Sequence, residues 1–297
     1  MKRILVVGGA GYIGSHMVKA LAKAGYEPVV LDNLSTGYAD AVRYGELVEG
    51  DLGDSDLLDG LLGRGDIQGV MHFAAFSLVG ESVEAPGKYY RNNVAATVNL
   101  LDAMVRHSVP AFIFSSTAAV YGEPDYSPID EAHPVRPINP YGASKWMVER
   151  ILADYDAAHG LRSTSLRYFN AAGADPEGEL GERHDPETHL IPIVLQAASG
   201  RRANVAIYGQ DYPTDDGTCV RDFIHVDDLC DAHLKPLERL LAGGETRVYN
   251  LGTGSGFSVR ALIDTAKEVT GREFEVVVGE RRPGDPARLV ADSAQAV

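Results

Sequence analysis

The chain has 297 residues, a length that accommodates one large domain or two modest ones. Apolar residues make up 45% and charged residues 23%, which is typical of a globular protein and excludes a disordered chain. The 27 basic and 42 acidic residues give a net charge of −15. A negative field of this size argues against nucleic acid and anionic membranes as partners, because it repels their phosphates.

The two cysteines, Cys219 and Cys230, exclude a disulfide-based scaffold, and they form no C-x-x-C pair. We expect both to be reduced and buried. No run of apolar residues reaches the ~18 residues that a membrane span needs, and the N-terminus lacks a signal-peptide pattern. The predicted location is therefore the cytoplasm.

The first half of the chain alternates short apolar strands with longer helices. Strands are predicted over 4–7, 28–31, 47–50, 70–73 and 112–114, and the main helices over 17–22, 89–106 and 144–159. Such alternation requires right-handed crossovers between parallel strands. It predicts an α/β fold with a doubly wound, Rossmann-type parallel sheet that helices cover on both faces.

The alternation weakens near residue 170. Residues 170–188 are rich in Gly, Asp, Glu and Pro and are predicted as a loop, and short strands and helices are mixed after it. We predict a cofactor-binding Rossmann domain over 1–168 and a smaller mixed α/β substrate domain over 169–297. The chain is expected to return to the first domain around 222–250. The sequence stops soon after the loop 281–285 with no closing helix, which leaves open whether it is truncated at Val297.

A glycine-rich turn follows the first strand directly. Gly8, Gly11 and Gly14 stand at the spacing of a dinucleotide-binding turn, with a strand before them and a helix after them. In such a turn the first glycine permits the tight bend, the second lets a pyrophosphate approach the backbone, and the third lets helix and strand pack closely. The N–H groups at the start of the helix face the phosphates.

Two acidic residues follow the next strands. Asp32 lies eighteen residues beyond Gly14, where a carboxylate accepts hydrogen bonds from the ribose hydroxyls of the adenosine half. Because this carboxylate would repel a 2′-phosphate, NAD is favoured over NADP. Asp51 ends the third strand, and it is placed either at the adenine edge or in a turn.

A Tyr-x-x-x-Lys pair opens the helix predicted after residue 140. Tyr141 and Lys145 lie one turn apart on one helix face. Tyrosine has a pKa of about 10, and we expect the Lys145 ammonium and a positive nicotinamide ring to lower it in Tyr141. Ser115, Ser116 and Thr117 follow the strand 112–114, at the sheet edge where ligands collect. A hydroxyl there can bind a substrate oxygen and pass a proton to Tyr141.

These motifs resemble the extended short-chain dehydrogenase/reductase family. The resemblance is carried by FSSTAAVYG (114–122), NPYGASK (139–145) and the glycine turn. RYFN (167–170), YPTDDGT (212–218), RDFIHV (221–226) and YNLG (249–252) narrow it to the UDP-hexose 4-epimerases of that family. The similarity extends over nearly the whole chain.

The family pattern implies roles for individual residues. Catalysis is assigned to Thr117, Tyr141 and Lys145. Cofactor contacts are implied, besides those from Gly8, Gly11, Gly14, Asp32, Asp51, Tyr141 and Lys145, for Tyr12, Ile13, Asn33, Leu34, Ser35, Thr36, Gly37, Leu52, Phe73, Ala74, Ala75, Ser77, Asn92, Ser115 and Phe169. Substrate contacts are implied for Thr117, Tyr141, Asn170, His189, Leu190, Ala206, Ile207, Tyr208, Arg221, Arg282, Asp285 and Leu289.

The resemblance implies interconversion of UDP-galactose and UDP-glucose by inversion at C4 through a 4-keto sugar, with NAD as cofactor. Two alternatives stay open: an epimerase that also accepts UDP-N-acetylhexosamines, and a non-catalytic NAD-binding regulator of the same fold. A 4,6-dehydratase is disfavoured, because Ala118 and Ala119 stand where that reaction needs an acid and a base. Leu289 lies where family members differ in bulk near the hexose. Ser77 stands where some members have Lys, so we expect one cofactor contact to be weakened or lost.

Further expectations concern metals and assembly. The nine histidines show neither H-E-x-x-H spacing nor a cysteine partner, so no metal site is predicted. The resemblance implies a homodimer formed through the helices 89–106 and 144–159. Apolar side chains that could serve either the core or this interface are Val94, Val98, Leu101, Met147, Ile151 and Leu152.

Overall fold

In a computed structural model of the chain, residues 2–282 and 285–296 are described. The strands are β1 (Arg3–Val7), β2 (Glu27–Asp32), β3 (Glu46–Glu49), β4 (Ile67–His72), β5 (Ala111–Thr117), β6 (Arg162–Tyr168), β7 (Asn170–Ala172), β8 (Asn204–Tyr208), β9 (Val220–His225), β10 (Arg247–Leu251), β11 (Gly256–Ser258), β12 (Glu275–Gly279) and β13 (Arg288–Leu289). The α-helices are α1 (Tyr12–Lys23), α2 (Ser55–Leu62), α3 (Val79–Glu84), α4 (Pro86–Tyr89), α5 (Ala96–Arg106), α6 (Pro140–His159), α7 (Leu190–Ala198), α8 (Val226–Leu241) and α9 (Val259–Thr270).

Seven strands form one large sheet in the order β10-β6-β5-β4-β1-β2-β3. Every neighbouring pair in it is parallel, which confirms the predicted doubly wound α/β fold. The strand order changes direction between β1 and β4, and ligands of such sheets bind in the crevice at this point, outside the carboxyl ends of the strands.

The two faces of this sheet pack against different helices. On one face, core residues such as Leu5 and Phe112 contact α2, α5 and α6, and on the other, Ile4 and Ile113 contact α1 and α8. Successive strand residues point to opposite faces, so a sheet covered on both sides needs unbroken apolar strands. The apolar runs of β1, β2, β4 and β5 meet this requirement.

The rest of the chain forms two small sheets. In one of them β9 is central and pairs with β7, β11 and β13, and in the other β8 pairs with β12. Helices α7 and α9 contact each other and share an apolar cluster with β8. Two later elements contribute to the large sheet: β10 is its edge strand, and α8 packs against one of its faces. The division into two domains at residue 168 stays a prediction.

Two elements differ from expectation. The predicted loop 170–188 begins with β7, which forms because it pairs with β9. The predicted helix 89–106 is a π-helix over Tyr90–Ala95 before α5 begins. The wider π turn carries Asn93 inward, where its amide donates to Phe76 O at 3.0 Å and to Ser144 Oγ at 3.1 Å. This contact ties the turn after β4 to α6.

Both cysteines are free and buried, as expected. Among the described residues, none of the helices has the length and the hydrophobicity that crossing a bilayer requires.

Candidate active site

The glycine turn between β1 and α1 is closely packed on one side and open on the other. Gly8 has φ +80°, and a Cβ there would lie 2.5 Å from Ala74 N. A Cβ on Gly14 would lie 2.1 Å from Gly8 O. At Gly11 the nearest atom to a Cβ would be Gly8 O at 3.4 Å. Gly11 also caps α1, so the first-turn N–H groups of Tyr12 and its neighbours face an approachable surface, as phosphate binding requires.

The carboxylate of Asp32 is fixed at the end of β2. It accepts hydrogen bonds from Ala10 N at 2.9 Å and from Leu34 N at 2.8 Å. Each oxygen keeps a second lone pair, which suits two ribose hydroxyls. Nearby, Asn33 Nδ2 donates to Asp51 Oδ2 at 2.7 Å. The cleft around these side chains is lined by Val7, Leu31, Asp32, Asn33, Gly50, Asp51, Leu52, Ala74, Phe76 and Asn92.

This cleft unites six of the predicted cofactor residues and adds four that sequence reasoning missed: Val7, Leu31, Gly50 and Phe76. The loop from Asn33 to Gly37 lies against the glycine turn, since a Cβ on Gly37 would be 2.9 Å from Ala10. One end of this cleft has a helix start suited to phosphates, and the other has the Asp32 carboxylate, which forms no ion pair within the described part of the chain. The residues present therefore fit NAD better than NADP.

The turn after β4 contributes mainly backbone to the crevice. Phe73 N and Ala74 N donate to Val7 O at 2.8 and 3.1 Å. The half-buried Phe73 ring packs against the apolar cluster under the sheet, 5.0 Å from the His233 ring, and its predicted cofactor contact stays a prediction. Ser77 lies exposed in the same turn, beyond Ala75.

Packing at the start of α6 brings Tyr141 to Thr117. Asn139 caps the helix by accepting from Gly142 N at 2.8 Å. A Cβ on Gly142 would lie 2.5 Å from Ala119 O, so glycine lets the helix start contact the turn after β5. Thr117 ends β5, its Oγ1 accepts from Ala119 N at 3.1 Å, and its side chain lies close to that of Tyr141. One turn along α6, Lys145 Nζ donates to Ser115 O at 2.9 Å.

Burial governs the protonation of this group. Burial raises the pKa of Tyr141, and the hydrogen bond with Thr117 acts in the opposite direction. Burial lowers the pKa of Lys145 to about 7. The predicted lowering of the Tyr141 pKa includes the charge of a bound nicotinamide ring and stays a prediction; in the protein by itself, desolvation of the phenolate outweighs the effect of Thr117.

The three hydroxyls after β5 serve different partners. The Ser115 hydroxyl makes a short hydrogen bond with the Tyr168 hydroxyl. Ser116 Oγ donates to Glu149 Oε1 at 2.5 Å, on the opposite face of the strand. Thr117 alone of the three faces Tyr141. The general expectation of a hydroxyl beside Tyr141 therefore narrows to Thr117.

A buried ion pair beneath α6 was missed by sequence reasoning. Glu149, one turn beyond Lys145, pairs with Arg167 of β6, and Arg167 Nη1 also donates to Tyr121 OH at 2.9 Å. The carboxylate lies on the helix that carries Tyr141 and Lys145, at i+4 from the lysine, and this spacing is the only signal for it in the sequence. The pair holds α6 against the sheet.

Predicted substrate residues gather around β9. Arg221 Nη2 donates to Asp285 Oδ1 at 2.8 Å, and Leu289 pairs with Arg221 across β13 and β9. Asn170 Nδ2 donates to Asp222 O at 2.8 Å. Phe169 and Leu289 pack against one apolar cluster that includes Ala118, next to Thr117. These contacts connect Arg221 and Asn170 through β9 and link Leu289, the partner of Arg221, to the turn after Thr117.

Other predicted substrate residues lie further along the chain. The Arg282 guanidinium lies 3.8 Å above the Tyr208 ring. Ala206 is half-buried in β8, whereas Ile207 is buried in the cluster under α7 and α9, so its side chain does not face the crevice. His189 and Leu190 lie at the start of α7, where His189 contacts two glutamates.

Comparison with known proteins places the chain in a class. Residues 4–252 match the model of the NAD dependent epimerase/dehydratase family. The chain belongs to this family, as its motifs predicted.

Several individual members of the family are similar to the chain over nearly its full length. The chain is 53% identical to UDP-glucose 4-epimerase of Rhizobium meliloti (strain 1021) over 99% of its own length and 89% of the relative. It matches the crystal structure of UDP-glucose 4-epimerase from Brucella ovis in complex with NAD with TM-score 0.97 and 53% identity, over 100% of this chain and 91% of the other. UDP-glucose 4-epimerase from Bifidobacterium longum in complex with NAD+ and UDP gives TM-score 0.93 and 38% identity, over 99% and 91%.

Proposed function

We propose that this chain is a UDP-glucose 4-epimerase, which interconverts UDP-galactose and UDP-glucose with NAD as its cofactor. The main support for this proposal is that Tyr141 and Thr117 lie close together at the carboxyl edge of the sheet, the same edge that bears the glycine turn. Lys145 lies one helical turn away. Relatives that are 49–53% identical over 97–99% of the chain carry that name.

The protein's residues supply binding and acid–base chemistry. When bound, NAD accepts a hydride from C4 of the sugar and returns it. Tyr141 takes the proton from the 4-hydroxyl and gives it back, while Thr117 hydrogen-bonds the same oxygen. Lys145 lies one helical turn away and, when it is protonated, its charge together with that of the bound nicotinamide would favour the phenolate against the desolvation that raises the Tyr141 pKa.

Inversion at C4 requires that the 4-keto sugar present its opposite face to the hydride donor on the return step, while its C4 oxygen stays within reach of the same tyrosine. The nucleotide must therefore be anchored while the sugar turns. Arg221 is oriented by Asp285 and offers a forked guanidinium that matches diphosphate oxygens. Phe169 and Leu289 form an apolar surface next to Ala118. Because apolar side chains offer no hydrogen bond to the hexose, this surface would not hold the sugar in one orientation.

The proposal includes a homodimer. Leu101 and Leu152 are fully buried and serve the core. By contrast, Trp146 and Met147 lie exposed on α6. The exposure of these two large apolar side chains supports an interface on this face, because pairing α5 and α6 with those of a second copy would bury them. Analytical ultracentrifugation of Met147→Glu tests it, since a charge at a buried interface favours monomers.

The reaction belongs to galactose metabolism, and free buried thiols at Cys219 and Cys230 are compatible with the reducing cytoplasm.

Tyr141→Phe is the direct test of the catalytic assignment. We expect turnover of UDP-galactose to UDP-glucose, followed in a coupled dehydrogenase assay, to be nearly abolished. NAD released on denaturation should stay at the wild-type stoichiometry, because the ring still packs at the crevice.

Tyr155→Phe is the matched control. Tyr155 lies on the same helix, and its hydroxyl donates to Asp102 at the surface. This variant should keep wild-type activity. Full activity of Tyr141→Phe would refute the role of the phenol, and absence of activity in a wild-type protein that contains NAD would favour a regulator. Assaying UDP-N-acetylgalactosamine alongside UDP-galactose decides the breadth of specificity.

A further inference from the structure

Four side chains converge in the segment that precedes α7. They are Glu182, His184, Glu187 and His189, and their ligand atoms all lie within 4.8 Å of one another. His189 Nδ1 lies 2.8 Å from Glu182 Oε1 and 2.9 Å from Glu187 Oε1. His184 Nδ1 lies 3.2 Å from Glu182 Oε1 and 3.7 Å from Glu187 Oε2. We refer to these residues as the Glu/His cluster.

Both carboxylates of the Glu/His cluster are buried. The side chains of Glu182 and Glu187 are 8% and 6% exposed. Within residues 2–282 and 285–296, their ion-pair partners are these two histidines and neither lysine nor arginine. Arg183, which lies between them in sequence, is paired with Asp40. With neutral imidazoles the cluster would hold two negative charges out of water, which is costly without a compensating cation.

Hydrogen bonds satisfy Glu187 Oε1 but not every polar atom of the cluster. A neutral imidazole carries one N–H, yet Nδ1 of His189 faces two carboxylate oxygens at hydrogen-bond distance. Nδ1 of His184 is buried and makes no hydrogen bond of good geometry within the described part of the chain. Nδ1 of His184 is therefore the atom of the cluster that is left without a partner, 3.2 Å from Glu182 Oε1 and 3.7 Å from Glu187 Oε2.

We propose that the Glu/His cluster binds one divalent transition-metal cation of the Zn²⁺ or Co²⁺ class. Two imidazole nitrogens and two carboxylate oxygens are a ligand set that suits these ions. A tetrahedron with bonds of about 2.0–2.1 Å has edges of about 3.3–3.4 Å. The nitrogen–oxygen distances given above involve one oxygen of Glu182 and both oxygens of Glu187 and run from 2.8 to 3.7 Å, so small side-chain adjustments would bring four ligand atoms to that edge.

The ligands are held in place before any ion binds. Glu187 Oε1 accepts from the backbone N–H groups of Thr188 and His189, each at 2.8 Å. The His184 ring lies edge-on to Tyr12 at 6.3 Å between centroids. Tyr12 OH in turn donates to Gly173 O at 2.7 Å. A bound ion would thus fix the segment before α7, which carries the predicted substrate residue His189 and adjoins Leu190, beside the start of α1.

The expectation of no metal site rested on the absence of known metal-binding motifs. The ligands here have the spacing Glu-x-His-x-x-Glu-x-His over residues 182–189, which none of those motifs contains. Only the folded segment shows that the four side chains face one point.

The test uses the full chain without a histidine tag, loaded with NAD, stripped with a chelator and titrated with ZnCl2 in a calorimeter. We expect about one Zn²⁺ per chain with a Kd of about 1 µM or tighter. Co²⁺ should give the intense visible absorption of a four-coordinate site. Glu187→Gln and His184→Ala should each weaken binding by at least ~10-fold, because each removes one ligand.

His107→Ala is the control, because it removes another histidine–carboxylate pair, with Asp59, far along the chain from the cluster. It should bind Zn²⁺ like the wild type. NAD content and the thermal midpoint check that each variant is folded, and the isosteric Glu182→Gln replaces any variant that is not. No stoichiometric binding, or equal affinity in wild type and cluster variants, would overturn the proposal.

Discussion

Replacing Arg167 by Met would leave the Glu149 carboxylate buried beneath α6 without its cation. In the wild type, Arg167 Nε donates to Glu149 Oε1 at 3.0 Å and Nη2 to Oε2 at 2.5 Å, while Nη1 reaches Tyr121 OH at 2.9 Å. The two charged side chains are only 7% and 6% exposed. The variant therefore keeps a desolvated charge and loses every guanidinium contact.

The expected loss is about 3–5 kcal/mol, the range for removing one partner of a buried ion pair. Natural proteins are stable by only about 5–15 kcal/mol, so the variant should remain folded at low temperature but melt roughly 6–20 °C lower. Thermal and urea unfolding should be measured at one fixed NAD concentration, because a bound ligand itself adds stability.

A surface pair on the same helix serves as the control. Arg150 Nη2 lies 3.8 Å from Asp154 Oδ1, and the two side chains are 64% and 73% exposed. Arg150→Met should change stability by no more than ~0.5 kcal/mol. If Arg167→Met were no more destabilising than Arg150→Met, the buried pair would not hold α6 in place as we infer.

Two further predictions concern the glycine turn and the loss of stability at acidic pH. Gly14→Ala would place a Cβ 2.1 Å from Gly8 O, so the amount of NAD released on denaturation should fall sharply. A Cβ on Gly80 meets nothing within 4 Å, so the control Gly80→Ala should release as much NAD as the wild type. Equal NAD content in the two variants would contradict the packing argument. Lys19 Nζ contacts Asp175, Glu177 and Glu179 at 2.7–2.9 Å, and its hydrogen bond lowers the pKa of Glu177. A carboxylate whose pKa is lower in the folded than in the unfolded protein stabilises the fold at pH values above its unfolded pKa of about 4. This stabilisation is lost as the pH falls through the folded pKa. Lys19→Met should therefore flatten the decline of unfolding free energy between about pH 5 and pH 2, measured by urea titration, and an unchanged slope would refute this.

Local sequence patterns were sufficient for part of this molecule. The apolar runs of β1 and β5 predicted buried parallel strands, because a strand covered on both faces must be apolar throughout. Gly8 and Gly14 predicted a close approach of strand and helix, and the structure shows backbone where their side chains would be. The pair Tyr141 and Lys145 was evident because a helix places residues four apart on one face.

Features that depend on packing at a distance were not predictable. Glu149 and Arg167 lie eighteen residues apart on α6 and β6, and only their packing makes them partners. The π-helix before α5 is hidden, because its residue pattern differs little from that of an α-helix. The direction of the Tyr141 pKa shift depends on desolvation, which no motif encodes.

The position of β10 and α8 has a consequence for dissecting the protein. β10 hydrogen-bonds to the outer edge of β6, and α8 covers apolar residues of β4, β5 and β6. A fragment that stops at residue 168 would expose the unpaired edge of β6 and an apolar face of the sheet, and both features promote aggregation. During synthesis, the N-terminal sheet cannot be completed until about 250 residues have left the ribosome, so its early intermediates would be natural clients for chaperones.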